Sequence, residues 1–335
     1  MDELEDNQEQ ELQLEARNVR NSLLYEFWKQ ARSKPRNPSG EFVHYTDYNG
    51  FSGIIESRSL WFSSVRDMND TSELSEGKHL IFDHSQPTKI LNKNFRAVEA
   101  VDPHLYERIQ EDFNSRFFGD EANTFVSCWS DLNPNERDHD KLSMWRGYGN
   151  NGKGVAISIK LDELVSLPHM QDQIALVPVF YADETSFLDR AKTCLSAFNT
   201  ELTSMEKDIR LRQTETIILA FQDLCFFLAI THKNKGFEEE NEWRLIWQRN
   251  RSPFVLDGFV NQHPELRERF HLPICKSMSK DEVDHFIIPL ESLMIGPCEH
   301  QSRVSQVAVN LLQRYDYSYP TFLVDRSDIP YRPRL

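Results

Sequence analysis

One short segment, residues 42–46, constrains the fold of this chain more than any other part of the sequence. Its apolar start predicts a strand that carries His44 and Tyr45 to its C-terminal end. Apolar residues then recur at helical spacing over 48–55, and residues 59–65 form a second strand-forming run. Mixed folds commonly place binding chemistry where polar side chains follow strand ends. The sequence therefore predicts a strand, a helix and a strand, with a candidate site at the end of the first strand.

Two later regions place further polar groups beside strand-forming runs. Residues 125–130 are β-prone and include Ser127 and Ser130, and residues 155–159 predict a buried strand. Between them lies a helix-like segment with three candidate contact residues, Trp145, Arg146 and Tyr148. An acidic run then leads directly into an aromatic strand near residue 243, so a carboxylate is expected at the N-terminal end of that strand.

Length and charge limit the class of protein. With 335 residues, the chain is long enough for one large domain or two smaller ones. Apolar residues make up 39% and charged residues 27%, as in ordinary globular proteins. The formal net charge is -15, so the chain as a whole is not steered toward nucleic acid. A protein or a small molecule is therefore expected as the acceptor rather than nucleic acid. A local basic channel that binds nucleic acid is the alternative.

The cysteines and the N-terminus indicate the compartment. The 5 cysteines are widely spaced and form no CxxC pair, which argues against a structural zinc site. Asp138, His139 and Asp140 lack a matching ligand cluster elsewhere, so no metal is expected. The N-terminus has no apolar signal core, and no apolar run approaches the roughly 20 residues of a membrane span. We expect a cytoplasmic protein with free thiols and no membrane segment.

The rest of the chain predicts helices around a mixed core. Residues 1–34 form an N-terminal helical segment, and residues 41–333 form a single α+β domain. A helical hairpin is inserted at about residues 184–232, either as a structural cap or as an insert that selects the substrate. Further helices are expected at 161–166 and 302–314, and further strands at 174–181, 286–290, 293–296 and 321–324.

Together these segments resemble domain-of-unknown-function family 2971, a mostly bacterial family of uncharacterised proteins. The motifs that carry the resemblance follow one another in the family's order: His44-Tyr45-Thr46, Trp61, Asn69-Asp70 with Glu73, the Phe125 to Ser130 strand, Met144-Trp145 with Tyr148, Gly154-Val155, Glu242-Trp243-Arg244, Ile295-Gly296-Pro297, and Ile329-Pro330-Tyr331-Arg332. The N-terminal helix and the inserted hairpin are less typical of the family.

That family is itself similar to the ADP-ribosyltransferase fold, a split antiparallel β core that clamps NAD. The resemblance implies an NAD-consuming transferase or glycohydrolase without a metal, in the setting of a bacterial toxin or a phage-defence effector. It implies that His44 binds the ribose, Tyr148 stacks on NAD and Glu242 stabilises the cationic transition state. The other implied NAD contacts are Tyr45, Thr46, Ser127, Ser130, Trp145 and Arg146.

These assignments have structural alternatives. Glu242 would be unavailable if it paired with Arg244 of its own strand or with Arg146. A lone histidine after an apolar strand is often satisfied within the fold. The hydroxyl of Thr46 is more readily explained as a helix cap than as a ligand contact. Core packing is the stronger interpretation of Trp145.

A second function class competes with the enzyme. A catalytically silent module would bind a nucleotide or a partner and would assemble through the N-terminal helix or the hairpin. That interpretation predicts Glu242 in an ion pair and no open cleft beside His44. The enzyme interpretation predicts that both residues line one pocket. Glu240 is expected on the same face as Glu242 if the strand pairing extends that far.

Overall fold

The computed structural model describes residues 2–36, 38–68, 98–109, 111, 123–132, 140–166, 174–249, 257–261, 267–273 and 288–330. The helices are α1 (Asp2–Leu23), α2 (Tyr25–Ser33), α3 (Tyr48–Ser57), α4 (Leu142–Gly147), α5 (Leu161–Val165), α6 (Glu184–Ser204), α7 (Lys207–Arg212), α8 (Thr214–Ile230) and α9 (Gln301–Arg314). Residues 98–101 and 103–109 are also helical. The strands are β1 (Glu41–Thr46), β2 (Ser59–Ser64), β3 (Thr124–Asp131), β4 (Val155–Lys160), β5 (Ile174–Pro178), β6 (Phe180–Tyr181), β7 (His232–Lys233), β8 (Glu242–Gln248), β9 (Asp257–Asn261), β10 (Arg267–Pro273), β11 (Leu290–Ile295) and β12 (Val324–Arg326).

The first of two compact units contains residues 1–34, 69–122 and 179–238. Its described part is helical apart from the short parallel pair of β6 and β7. The helix α8 is apolar on nearly every side, and its residues 220–230 are all buried. A helix of this composition needs neighbours around its whole circumference, and α1 and α6 both contact it. Phe27 of α2 stacks on Phe227 of α8 with ring centroids 5.6 Å apart.

The second unit contains residues 35–68, 123–178 and 239–335, and it holds the large sheet. The strand order is β12-β11-β4-β1-β3-β2-β10-β9, with β8 on the other edge of β3 and β5 beside β8. All pairs are antiparallel except β11 with β12. The prediction of a mixed α+β protein with a mainly antiparallel sheet is confirmed.

One edge of β3 is shared by two strands. β1 pairs with its C-terminal end, where Val43 lies opposite Ser130. β2 pairs with its N-terminal end, where Ser63 lies opposite Val126. Both strands run antiparallel to β3, so they run parallel to each other and separate along residues 127–129. We call this separation the split.

The pleat gives the sheet two different faces, because alternate residues of a strand point to opposite sides. The core face carries large apolar side chains that pack with α3 and α9, and its members include Phe42, Phe125, Trp129, Ile157, Trp243 and Trp247. We call the opposite face of the sheet the polar face. It carries the residues that alternate with those of the core face, namely Cys128, Ser130, Ser158, Glu242 and Arg244. A small cluster of Val43, Tyr45, Met144, Trp145, Ala156 and Met294 packs on the same side as the polar face.

Several predicted boundaries require correction. Residues 286–290 and 293–296 do not give two described strands, since β11 runs from Leu290 to Ile295 and residues 286–287 lie outside the described residues. The strand predicted at 321–324 is wrong over most of its length, because a 3-10 turn occupies Pro320–Phe322. Tyr319 enters that turn with a left-handed φ of 51°, and the proline lacks the N–H that a strand ladder needs. The strands β9 and β10 are not predicted by the sequence.

The helix after β1 is capped by a different residue from the one that the sequence indicates. Asp47, not Thr46, is the N-cap of α3, and its carboxylate accepts a hydrogen bond from the backbone N–H of Gly50 at 2.6 Å. An aspartate in extended backbone geometry directly before the helix is a better cap than a strand residue, whose side chain is committed to one face of the sheet.

Candidate functional site

The polar face of β3 and β8 carries Glu242 and Ser130, two of the residues that the sequence singles out. Across the two strands, Ser130 lies opposite Glu242 and Cys128 lies opposite Arg244. Glu242 and Arg244 are buried, whereas Ser130 and Cys128 are half-buried. A ligand on this face would therefore meet the half-buried β3 side chains first and the more buried charges of β8 next to them.

Glu242 forms a bidentate ion pair with Arg244 of its own strand. Nε of Arg244 donates to Oε1 of Glu242 at 2.7 Å, and Nη2 donates to Oε2 at 3.2 Å. Residues two apart in a strand share a face, so the strand itself brings these side chains together. The pairing neutralises a carboxylate whose side chain is only 9% exposed. This is the arrangement that the silent-module interpretation predicts for Glu242.

A second carboxylate lies just before β8. The hydroxyl of Tyr148, which follows α4, donates to Oε1 of Glu240 at 2.9 Å. Between the two glutamates, Asn241 adopts a left-handed φ of 44°, and its backbone carbonyl accepts from the N–H of Asp131 at 3.0 Å. This turn directly precedes β8, and Glu240 is buried beside Tyr148. The tyrosine hydroxyl thus contacts Glu240 rather than Glu242.

His44 lies at the split. Its Nδ1 is 2.9 Å from the carbonyl oxygen of Cys128, and its ring centroid is 5.2 Å from that of Trp129. A carbonyl oxygen can only accept, so Nδ1 carries the proton and Nε2 is the acceptor nitrogen of the neutral ring. Burial lowers the pKa of His44 below its usual value, against the opposing effect of the bond to Cys128, and the positive charge of Arg269 lowers it further.

This tautomer determines how His44 could bind a ribose hydroxyl, the role that the family resemblance implies. Because Nδ1–H is engaged by Cys128, the remaining nitrogen of the neutral ring would accept a hydroxyl proton.

The pleat separates His44 from Glu242. Val43 lies opposite Ser130, which lies opposite Glu242, so these three side chains share the polar face. His44 is the next residue after Val43 and therefore projects from the other face, in line with Ile157 on β4. Ser130 and Glu242 thus lie on one side, where Tyr148 packs against the cluster of Val43 and Tyr45, while His44 reaches the split from the opposite side.

The remaining predicted contact residues have structural partners. Tyr45 and Trp145 are buried and pack edge to face with centroids 4.9 Å apart, and Nε1 of Trp145 donates to Asp140 at 2.7 Å. Ser127 points to the core face, where its hydroxyl accepts from Nε1 of Trp129 at 3.0 Å. The core interpretation therefore describes these residues better than ligand contact does.

Two predicted residues lie at the margins of the site. The Oγ1 atom of Thr46 packs over Gly50, where an added Cβ would lie 2.2 Å from it. Arg146 is exposed on α4. The motif residues Asn69, Asp70 and Glu73 lie outside the described residues, as do Asp138 and His139.

The cysteines differ in exposure. Cys194 and Cys225 are buried free thiols, and burial raises the pKa of Cys194 to about 11. Cys128 is half-buried. Cys275 is not among the described residues. In the described part of the chain, no three His, Cys, Asp or Glu side chains converge as metal ligands. None of the described helices has the length and apolar composition that a membrane crossing requires.

Comparison with known proteins supports the family and nothing more specific. Residues 144–245 match a family model described as a protein of unknown function (DUF2971). The matched segment runs from α4 to β8 and includes both Tyr148 and Glu242, which supports the resemblance that the motifs indicate. No curated protein matches the chain, and no solved structure matches it.

Proposed function

We propose that this protein is an ADP-ribosyltransferase-like enzyme that cleaves the bond between nicotinamide and ribose in NAD. The observation that carries the proposal is that Ser130 and Glu242 lie opposite each other on β3 and β8, with the hydrogen-bonded pair of Tyr148 and Glu240 just before β8 and with His44 at the split. A split antiparallel core with these residue types in this chain order is what the family resemblance implies for an NAD site.

The chemistry assigns a separate task to each group. The bond from the ribose carbon C1′ to the pyridinium nitrogen breaks, and its electron pair leaves with nicotinamide. The carboxylate of Glu242 stabilises the positive charge that develops on the ribose. The acceptor, water or a nucleophilic group of another molecule, bonds to C1′ and gives its proton to Glu240. Tyr148 holds Glu240 by its hydrogen bond. His44 projects from the other face, so its Nε2 would accept from a ribose hydroxyl only where the ribose reaches into the split.

A specific observation favours a second candidate, the catalytically silent nucleotide- or partner-binding module. The guanidinium of Arg244 already occupies both carboxylate oxygens of Glu242, which reduces the field that a ribose cation would experience. His44 also projects from the opposite face of the sheet. Under this alternative the same groups bind a ligand without cleaving it.

Nicotinamide release distinguishes the two candidates. Purified protein is incubated with NAD, with and without cell lysate as a source of acceptors, and nicotinamide is measured by chromatography. The enzyme proposal expects release by the wild type and a loss of about 100-fold or more in Glu242→Gln, as found when a transition-state contact is removed. Glu239→Gln changes an exposed neighbour and is the matched control, expected to retain full activity.

The result that contradicts catalysis is equally direct. If folded wild type releases no nicotinamide but binds NAD in calorimetry, the silent module is the correct function. If it neither cleaves nor binds NAD, the enzyme proposal is wrong and the silent module, if that is the function, binds a different nucleotide or a partner.

A further inference from the structure

The first compact unit contains a buried guanidinium that pairs with no carboxylate of the described residues. Nε and Nη2 of Arg190 are buried and make no hydrogen bond. Nη1 donates a long hydrogen bond of 3.4 Å to the hydroxyl of Thr231. Among the described residues, no carboxylate forms an ion pair with this side chain. Burial lowers the pKa of Arg190 to about 10, so the group remains charged at neutral pH. An uncompensated buried charge is strongly unfavourable, and some anion is expected to balance it.

Two aromatic rings lie close to the guanidinium of Arg190. The Cζ atom of Arg190 lies 3.4 Å from the ring centre of Phe180 and 5.3 Å from that of Phe27. The Phe180 ring lies at stacking distance from the guanidinium, which favours a ligand that approaches in the guanidinium plane. The unbonded Nε and Nη2 form the edge of the guanidinium that presents two parallel N–H groups. This edge matches two oxygens of a carboxylate or a phosphate.

A second unsatisfied nitrogen lies close by. His232 is buried, its ring centroid is 4.4 Å from that of Phe187, and its Nδ1 has no hydrogen-bond partner. It pairs with Phe180 across the parallel strands β6 and β7, which places it in the neighbourhood of Arg190. Burial, followed by the charge of Arg190, lowers the pKa of His232 to about 4, so the ring is neutral. A neutral imidazole still provides one N–H donor.

We propose that Arg190 and His232 form a buried binding site for a small oxyanion, a phosphate or a carboxylate, within the helical unit. The guanidinium edge of Arg190 donates two hydrogen bonds to the anion, and Nδ1–H of His232 donates a third. The site is separate from the NAD proposal, because all of its residues belong to the first unit.

The test measures both the bound anion and its effect on stability. Desalted full-length protein is unfolded in guanidinium chloride, and the released phosphate and carboxylates are measured by ion chromatography. After extensive dialysis, thermal unfolding is followed with increasing inorganic phosphate in one arm and acetate in the other. We expect a saturable rise of the melting temperature for wild type and none for Arg190→Met. His232→Phe is expected to bind at least about tenfold more weakly, for the loss of one hydrogen bond.

Arg32→Met is the matched control, because Arg32 is an exposed arginine of the same unit. It should respond to phosphate as the wild type does. A response to phosphate alone identifies a phosphate site, and a response to both anions identifies a general oxyanion site. The proposal is wrong if wild type and Arg190→Met respond equally, or if wild type neither releases nor binds an anion. Should Arg190→Met not fold, the anion measurements on wild type decide alone.

Discussion

The buried pair of Glu242 and Arg244 makes a quantitative prediction about stability. Replacing Arg244 by Met leaves Glu242 buried without its two charged hydrogen bonds of 2.7 and 3.2 Å. Two such bonds contribute about 3 to 6 kcal/mol together, and the Coulomb energy of charges about 4 Å apart at an effective dielectric of about 20 is about 4 kcal/mol. We therefore expect Arg244→Met to lower the free energy of unfolding by about 4 kcal/mol, in line with other broken buried pairs.

Urea unfolding followed by tryptophan fluorescence measures this change well, because 5 of the 6 tryptophans, Trp61, Trp129, Trp145, Trp243 and Trp247, belong to the second unit. The double variant Glu242→Leu with Arg244→Met should return to within about 1 kcal/mol of wild type, since apolar residues replace a buried pair at little cost. Arg303→Met, at an exposed position of α9, should change stability by less than about 0.5 kcal/mol. A double variant that is as unstable as Arg244→Met would refute the reasoning.

Two further predictions concern a glycine and a histidine of the second unit. Gly154→Ala should lower the free energy of unfolding in urea by about 3 kcal/mol, because the added Cβ would lie 2.1 Å from the backbone oxygen of Thr46. Gly147→Ala is the control, because its Cβ would enter open space and the change should be neutral or stabilising. Equal effects of the two changes would contradict the packing argument. Burial lowers the pKa of His44, so the unfolded chain takes up the proton first and stability is lost as pH falls below about 6.5. His44→Gln should lose less stability in that window than wild type, and exposed His104→Gln should follow wild type; a variant curve parallel to that of wild type would show that His44 is not the titrating group.

The local elements of the second unit are predictable because their signals are local. The segments around β1, α3 and β2 carry alternating or helical apolar patterns that fix each element without reference to the rest of the chain. The strands β9 and β10 lack such a pattern, and their pairing with β2 depends on a partner that is distant in sequence. The strand prediction at 321–324 is wrong because Thr321 and Phe322 favour strands, whereas the conformations of Tyr319 and Pro320 determine the local backbone.

The site is only partly predictable, and the parity of the sheet register explains why. The sequence indicates which residue types lie near strand ends, but the face on which they project depends on which residues are paired. A shift of one residue between β1 and β3 would bring His44 to the side of Glu242. The ion pair between Glu242 and Arg244 needs no such knowledge, because it follows from their spacing of two within one strand.

The same ion pair stabilises the fold but opposes the catalytic role proposed for Glu242. Arg244 keeps the carboxylate of Glu242 charged in a buried position, which an isolated carboxylate would not tolerate. Yet a carboxylate and a guanidinium together carry no net charge, so a ribose cation would experience the field of a dipole, which falls faster with distance than that of an anion. A carboxylate has about four lone-pair sites, and the guanidinium uses two of them. Stabilisation of the cation by Glu242 therefore requires the ribose to lie in direct contact with the side of the carboxylate opposite Arg244, or Arg244 to move away when the ligand binds.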